Sequence, residues 1–198
     1  MHARLTTITG ADVDAAIKYL EETAAPVLGQ QKGIRQLAAS GDPAKGIVSI
    51  VSVFDSLADL EASRSAIDKV RQGGLEQFGG TATVKEFEQV AMGTNSPPEA
   101  GAIVRIQSTT IDPSRVDETV EWFTSTVMPA MLASPGVKAV RNLIDRSTGE
   151  GRVSVVFSDQ ASLDAGEKSR EDRMAAARDR GVEFGEALIL TVRYAKMF

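Results

Sequence analysis

Residues 126–137 read TVMPAMLASPGV, and residues 23–34 read TAAPVLGQQKGI. Thr126 lies over Thr23, Pro129 over Pro26, Gly136 over Gly33 and Val137 over Ile34, all at a spacing of 103 residues. The same spacing holds outward in both directions. Val13, Asp14, Phe54, Leu60 and Ala62 recur as Val116, Asp117, Phe157, Leu163 and Ala165. Ile17/Val120, Tyr19/Trp122 and Leu20/Phe123 are conservative pairs. Solenoid units repeat at roughly 20–50 residues, so a period this long means duplicated domains. The boundaries expected are a first repeat over 1–91, a linker over 92–101 centred on Asn95-Ser96-Pro97-Pro98, and a second repeat over 102–198.

Each half reads β-α-β-β-α-β. In the first, strands are expected at Arg4–Thr9, Ile34–Ala39, Ile47–Phe54 and Thr81–Val90. Asp12 is placed to cap a helix carrying Val13, Ile17, Leu20, Ala24 and Val27 at helical spacing. Pro26 should kink or end that helix. Ser56 should cap a second helix, which Gly73-Gly74 should end. In the second half, strands are expected at Ala102–Ile111, Val137–Ile144, Val153–Phe157 and Ala187–Lys196, with a charge-dense helix over Gln160–Arg180. A three-residue insertion there would keep Phe184 over Phe78.

Two such units in tandem give an α+β chain of ferredoxin-like halves. Ile50 and Phe54 alternate with Val51 and Val53, so both faces of the strand carry apolar side chains and both should be covered. Packing the two units sheet to sheet, as an intrachain α+β barrel, would do so.

Composition limits the chemistry. The chain has 198 residues, a net charge of −5, no cysteine and one histidine, His2, next to the N-terminus. This excludes disulfides, thiolate nucleophiles and His- or Cys-based metal sites, so no metal and no cofactor are expected. The acidic balance argues against a nucleic-acid partner. No apolar run approaches the ~20 residues of a membrane span, and a cytoplasmic protein without membrane association is expected.

The pattern around Val127-Met128-Pro129, Pro135-Gly136-Val137 and Val155-Val156-Phe157, with its first-half counterparts, resembles the dimeric α+β barrel superfamily. Within it, the antibiotic-biosynthesis-monooxygenase-like families are the most similar. Members usually build the barrel from two chains, so the resemblance implies an intrachain pseudo-dimer here and leaves further oligomerisation open. The superfamily includes cofactor-free oxygenases, haem-degrading enzymes, isomerases and domains without known activity. Haem held by histidine is excluded by the lack of an internal histidine.

Five residues are candidate ligand contacts, expected between helix Val116–Val127 and the second sheet: Arg105, Trp122, Asn142, Arg193 and Tyr194. Arg105, matched by Arg4, shares a strand face with Gln107 and would suit a carboxylate or enolate. An arginine at a strand end in solvent is the simpler reading. Trp122, the only tryptophan, could wall a pocket against a planar ligand or pack at the core edge, as Tyr19 would at the matching place. Asn142, Arg193 and Tyr194 replace Ala39, Phe87 and Glu88 of the first half. Tyr194 could hydrogen-bond a substrate oxygen or act as a general acid. The run Glu167–Arg173, with pairs Glu167/Arg170 and Lys168/Asp172, reads as a solvated helix face. Two functions follow: a cofactor-independent, monooxygenase-like enzyme acting on a small, planar, oxygenated organic molecule, or a non-catalytic ligand-binding or structural module.

Overall fold

The helix after the first strand shows how the repeated Pro is accommodated. Asp12 accepts a hydrogen bond from the Ala15 N–H at 3.1 Å and starts α1 (Val13–Tyr19). A π-helical turn follows over Leu20–Ala24, and α2 runs over Ala25–Leu28. The Ala25 N–H bonds back to the Leu20 carbonyl, so the wider turn ends where Pro26 enters. Pro26 then sits in the first turn of a renewed helix, where its missing N–H costs little. The proline does not end the helix. In the second half α5 (Val116–Trp122), a π-turn over Phe123–Val127 and α6 (Met128–Leu132) repeat this sequence, with the Met128 N–H on the Phe123 carbonyl. Both π-turns occupy positions 103 residues apart.

The computed structural model describes residues 1–198, apart from the side chain of Lys168, so the expected Lys168/Asp172 pair lies outside the described residues. The strands are β1 (His2–Thr9), β2 (Ile34–Asp42), β3 (Ile47–Phe54), β4 (Thr81–Thr94), β5 (Ile103–Thr110), β6 (Val137–Ile144), β7 (Glu150–Phe157) and β8 (Glu183–Met197). The remaining helices are α3 (Leu57–Ala62), α4 (Arg64–Phe78), α7 (Gln160–Ala165) and α8 (Glu167–Arg178). The hydrogen-bonded order β1-β3-β2-β8-β5-β7-β6-β4 is closed, giving a mixed α+β fold on one eight-stranded antiparallel sheet.

The chain divides into two compact units, Met1–Phe87 with Thr191–Phe198, and Glu88–Leu190. In the first, β3 lies between β1 (Leu5 opposite Val51) and β2 (Ala38 opposite Val51), and β2 pairs onward with the end of β8 (Ala39 opposite Tyr194). In the second, β7 lies between β5 (Arg105 opposite Val155) and β6 (Val140 opposite Val155), and β6 pairs with the end of β4 (Ala91 opposite Asn142). The last strand of each sequence half thus finishes in the unit built mainly from the other half, and the compact units differ there from the repeat boundaries read in the sequence.

Each unit has its own core. Ile17, Leu20, Leu37, Phe54 and Leu60 are buried in the first. Phe123, Val127, Val140, Phe157 and Leu163 are buried in the second. Gly73-Gly74 do not end α4, which continues to Phe78 and stops at Gly79, whose φ of +74° favours glycine. The two glycines make room for a ring: a Cβ on Gly74 would lie 3.0 Å from Cε1 of Tyr19 and 2.6 Å from Cε1 of Phe78. The helix expected over Gln160–Arg180 is broken at Gly166 into α7 and α8, as Ser63 separates α3 from α4. Phe78 ends a helix while Phe184 lies in a strand, so they are not equivalent. Among the described residues no helix is long and apolar enough to cross a membrane.

Candidate functional site

On β5, Arg105, Gln107 and Thr109 alternate onto one face, as period two requires. They line a cavity of about 100 Å³ within the second unit. Asn142 of β6, Val153 and Val155 of β7, and Trp122 and Phe123 at the π-turn add to its wall. Arg170, Arg173, Met174 and Ala177 close it from α8, at the i, i+3, i+4, i+7 spacing of one helix face. The walls are largely aliphatic and aromatic, and the polar groups gather where β5 meets α8.

Those polar groups are mainly cationic. Arg105 is 8% exposed, and its Nη2 contacts Oε1 of Glu167. Glu167 Oε2 lies 3.4 Å from Nη1 of Arg170. Arg170 Nη2 donates to Gln107 Oε1 at 3.0 Å, and Gln107 Nε2 donates to the carbonyls of Gly185 (2.7 Å) and Ser108 (3.1 Å). Gln107 is therefore fully engaged in fixing Arg170. Arg173 completes the cluster, and its buried Nε has no hydrogen-bond partner. Two of the three guanidinium groups, those of Arg105 and Arg170, thus share the Glu167 carboxylate, with Asp164 and Asp172 the further acids whose charge reaches Arg105 and Arg173. Burial, then the charges of Arg170 and Arg173, push Arg105 down to about 10, so it stays charged at neutral pH. Burial likewise lowers Arg173. On Trp122, the Arg180 guanidinium stacks 4.8 Å from the ring centroid.

The equivalent place in the first unit is a smaller cavity, about 60 Å³. Two arginines line it: Arg71 of α4 pairs with Asp68 at 2.8 Å and keeps a buried Nη1 without a hydrogen bond, while Arg4 is satisfied. Arg4, 2% exposed, donates from Nη2 and Nε to Glu86 Oε1 (2.8 and 3.1 Å), from Nη1 to Ser63 Oγ (3.2 Å) and from Nη2 to the Leu60 carbonyl (3.1 Å). Burial would raise the Glu86 carboxyl, but hydrogen bonds from Arg64 and Arg4 hold it below the ordinary range. Tyr19 meets Phe78 edge-on, with centroids 5.8 Å apart, and donates to the Val70 carbonyl at 3.0 Å. The residues facing this cavity from α4 at the places of Arg170 and Arg173 are Ile67 and Val70.

Of the five candidate contacts, Arg105, Trp122 and Asn142 share the second-unit cavity. Arg193 and Tyr194 do not. The end of β8 pairs with β2, which carries both into the first unit. There Arg193 forms an ion pair with Asp14, and Tyr194 packs against the first core, its phenol raised by burial and by Glu21. The solvent reading of Arg4 and Arg105 also fails, since both are buried. Arg170 and Arg173, read as solvated surface, face the cavity. The sequence did carry a signal: both align at 103 residues with apolar positions, Ile67 and Val70, so their places point inward. Among the described residues no group of three or more His, Cys, Asp or Glu could hold a metal ion.

No family model matches the chain. Two uncharacterized proteins of Mycobacterium tuberculosis H37Rv are similar to it. Rv2557 is 28% identical over 177 residues, covering 88% of this chain and 78% of that protein. Rv2558 is 25% identical over 194 residues, covering 97% and 81%. Among solved structures, a candidate monooxygenase from Lactobacillus acidophilus NCFM superposes with a TM-score of 0.70 at 12% identity, covering 100% of this chain and 99% of the other. A candidate monooxygenase from Fusobacterium nucleatum gives 0.71 at 12% identity over 99% and 93%. An anthrone oxidase-like protein gives 0.67 at 15% identity over 99% and 93%. The chain thus has the ferredoxin-like, dimeric α+β barrel fold of the monooxygenase-like proteins, with one closed eight-stranded sheet formed by a single polypeptide.

Proposed function

We propose that the second unit binds a small, planar, oxygenated organic molecule and that the chain acts on it as a cofactor-independent, monooxygenase-like enzyme. One observation carries the reading: an arginine cluster joined to an apolar, tryptophan-bearing cavity in one unit, where the other unit has a paired arginine and a filled aromatic contact. Apolar walls bind a ring system, and a few convergent polar groups orient it. Guanidinium groups favour the ionised form of a phenol or enol, which is the form rich enough in electrons to reduce dioxygen directly. For an anthrone-type ring methylene, oxidation to the carbonyl consumes one O₂. One oxygen atom enters the product and the other leaves as water. The fold shared with an anthrone oxidase-like protein supports testing that chemistry first. The acidic net charge fits a cytoplasmic protein acting on a small molecule rather than on nucleic acid.

An oxygen electrode with anthrone as probe tests the reading. Oxygen uptake matching quinone formation is expected above the buffer rate. Arg105→Gln and Trp122→Ala should each lower it about tenfold or more, the scale of losing a charge-assisted contact. A second reading, a non-catalytic binding module, is favoured by the lack of internal histidine and of cysteine. Anthrone binding without oxygen uptake would select it.

A further inference from the structure

We propose that the second-unit cavity takes its ligand as a planar organic anion, whose negative group sits on Arg105 and Arg173 in place of the Glu167 carboxylate, with its ring beside Trp122. This rests on the cavity being a small-molecule site and adds the ligand's charge and the role of Glu167.

Three observations lead there. The first is the exchange on one helix face. At α4 Ile67, Val70 and Arg71 line the cavity, and at the same places on α8 stand Arg170, Arg173 and Met174, so two apolar positions have become cationic and one cationic position apolar. Arg170 recovers contacts to Gln107 and Glu167, whereas the Nε of Arg173 recovers none. The second is Arg173 itself, whose buried Nε has no partner. A buried donor without an acceptor is destabilising, and an incoming oxygen would satisfy it. The third is the weak hold on Glu167. Its side chain is 41% exposed, and its carboxylate is divided between Arg105 and Arg170. In the first unit that place is Arg64, and the acid on Arg4 comes instead from β4, as Glu86, 26% exposed and hydrogen-bonded to both arginines. Glu167 therefore acts as a counter-ion that a ligand carboxylate or phenolate can replace with the same geometry. Once displaced, it can turn to solvent.

Calorimetric titration of the full chain with 2-naphthoate and with 2-naphthamide, which shares the ring and lacks the charge, tests this. Trp122 fluorescence provides a second readout. 2-Naphthoate should bind at least about tenfold more tightly, the lower end of what a charge-assisted hydrogen bond contributes. Arg173→Gln should weaken 2-naphthoate about tenfold and leave 2-naphthamide within about twofold. Glu167→Gln, which removes the competing carboxylate, should strengthen 2-naphthoate binding several-fold. Circular dichroism of both variants separates misfolding from lost contacts, and Glu167→Gln retains every arginine. Equal affinity for the two probes, or an Arg173→Gln effect equal on both, overturns the anion inference and leaves the small-molecule site standing. Binding of neither probe overturns both.

Discussion

Arg4→Met is expected to cost about 3 kcal/mol of stability, while Arg105→Met, at the matching place in the second unit, changes it by less than about 1 kcal/mol. Removing one member of a buried ion pair typically costs 3–5 kcal/mol, because the other charge stays behind. The lower end applies to Arg4, since Glu86 is 26% exposed and keeps Arg64. The Leu60 carbonyl also keeps the Ser63 hydroxyl. Arg105 is also buried and its acid also keeps a second arginine, but it has fewer partners and more cationic neighbours. Its partner Glu167 is 41% exposed and keeps Arg170, and its removal relieves repulsion from Arg170 and Arg173. Methionine fills much of the same volume in both places. Urea unfolding of the two variants would show the difference directly, and a loss near 3 kcal/mol should lower Tm by about 6–12 °C in a chain of this size. Equal losses at the two positions would mean that Arg105 is as structural as Arg4.

The second large effect is a gain. Arg173→Val restores the residue that the first unit carries at position 70 and should stabilise the chain by about 1–2 kcal/mol. Replacing buried charges by well-packed apolar groups is often stabilising by about 1–4 kcal/mol; Arg173 is half-buried, so the lower part of that range applies, and its buried, unpartnered Nε gives the trend its reason here. Arg170 is a poorer choice, because its removal strips Gln107 Oε1 of its donor. The same variant should lose affinity for planar anions, the usual exchange of stability against function at a binding site. Chemical denaturation and titration with 2-naphthoate check the two halves of this expectation. A stability loss of 1 kcal/mol or more would show that Arg173 supports the fold.

Much of the fold could be read from the chain because it rests on local signals that occur twice. The strands Ile47–Phe54 and Val137–Ile144, the caps at Asp12 and Ser56, and the apolar stripe of the first helix all follow from period and turn chemistry. Pro26 does not end its helix because a π-turn precedes it and places it in a renewed first turn, and nothing local announces a π-turn. Gly73-Gly74 misled because their small size serves Tyr19, 54 and 55 positions away, rather than a helix end. The site was half legible. Strand alternation put Arg105 with Gln107 on one face, and both line the cavity. Arg193 and Tyr194 were misplaced because partner choice at the end of β8 is a tertiary matter that no residue in the strand declares. Arg170 and Arg173 were hidden by composition: seven charged or polar residues in a row suggest solvent, and only comparison with Ile67 and Val70 reveals an inward face.

On this reading the second unit holds an anion-binding cavity and the first a smaller cavity whose Arg4 is already paired. A crystal structure of the chain grown with 2-naphthoate tests this most directly. One ligand per chain is expected, in the second unit, with its carboxylate on Arg105 and Arg173, its ring beside Trp122 and the Glu167 side chain turned away. The first unit's smaller cavity, lined by Tyr19 and Phe78, should stay free of ligand. A naphthoate lodged beside Tyr19 and Arg4, or one in the second unit with its carboxylate directed away from the arginines, would contradict it.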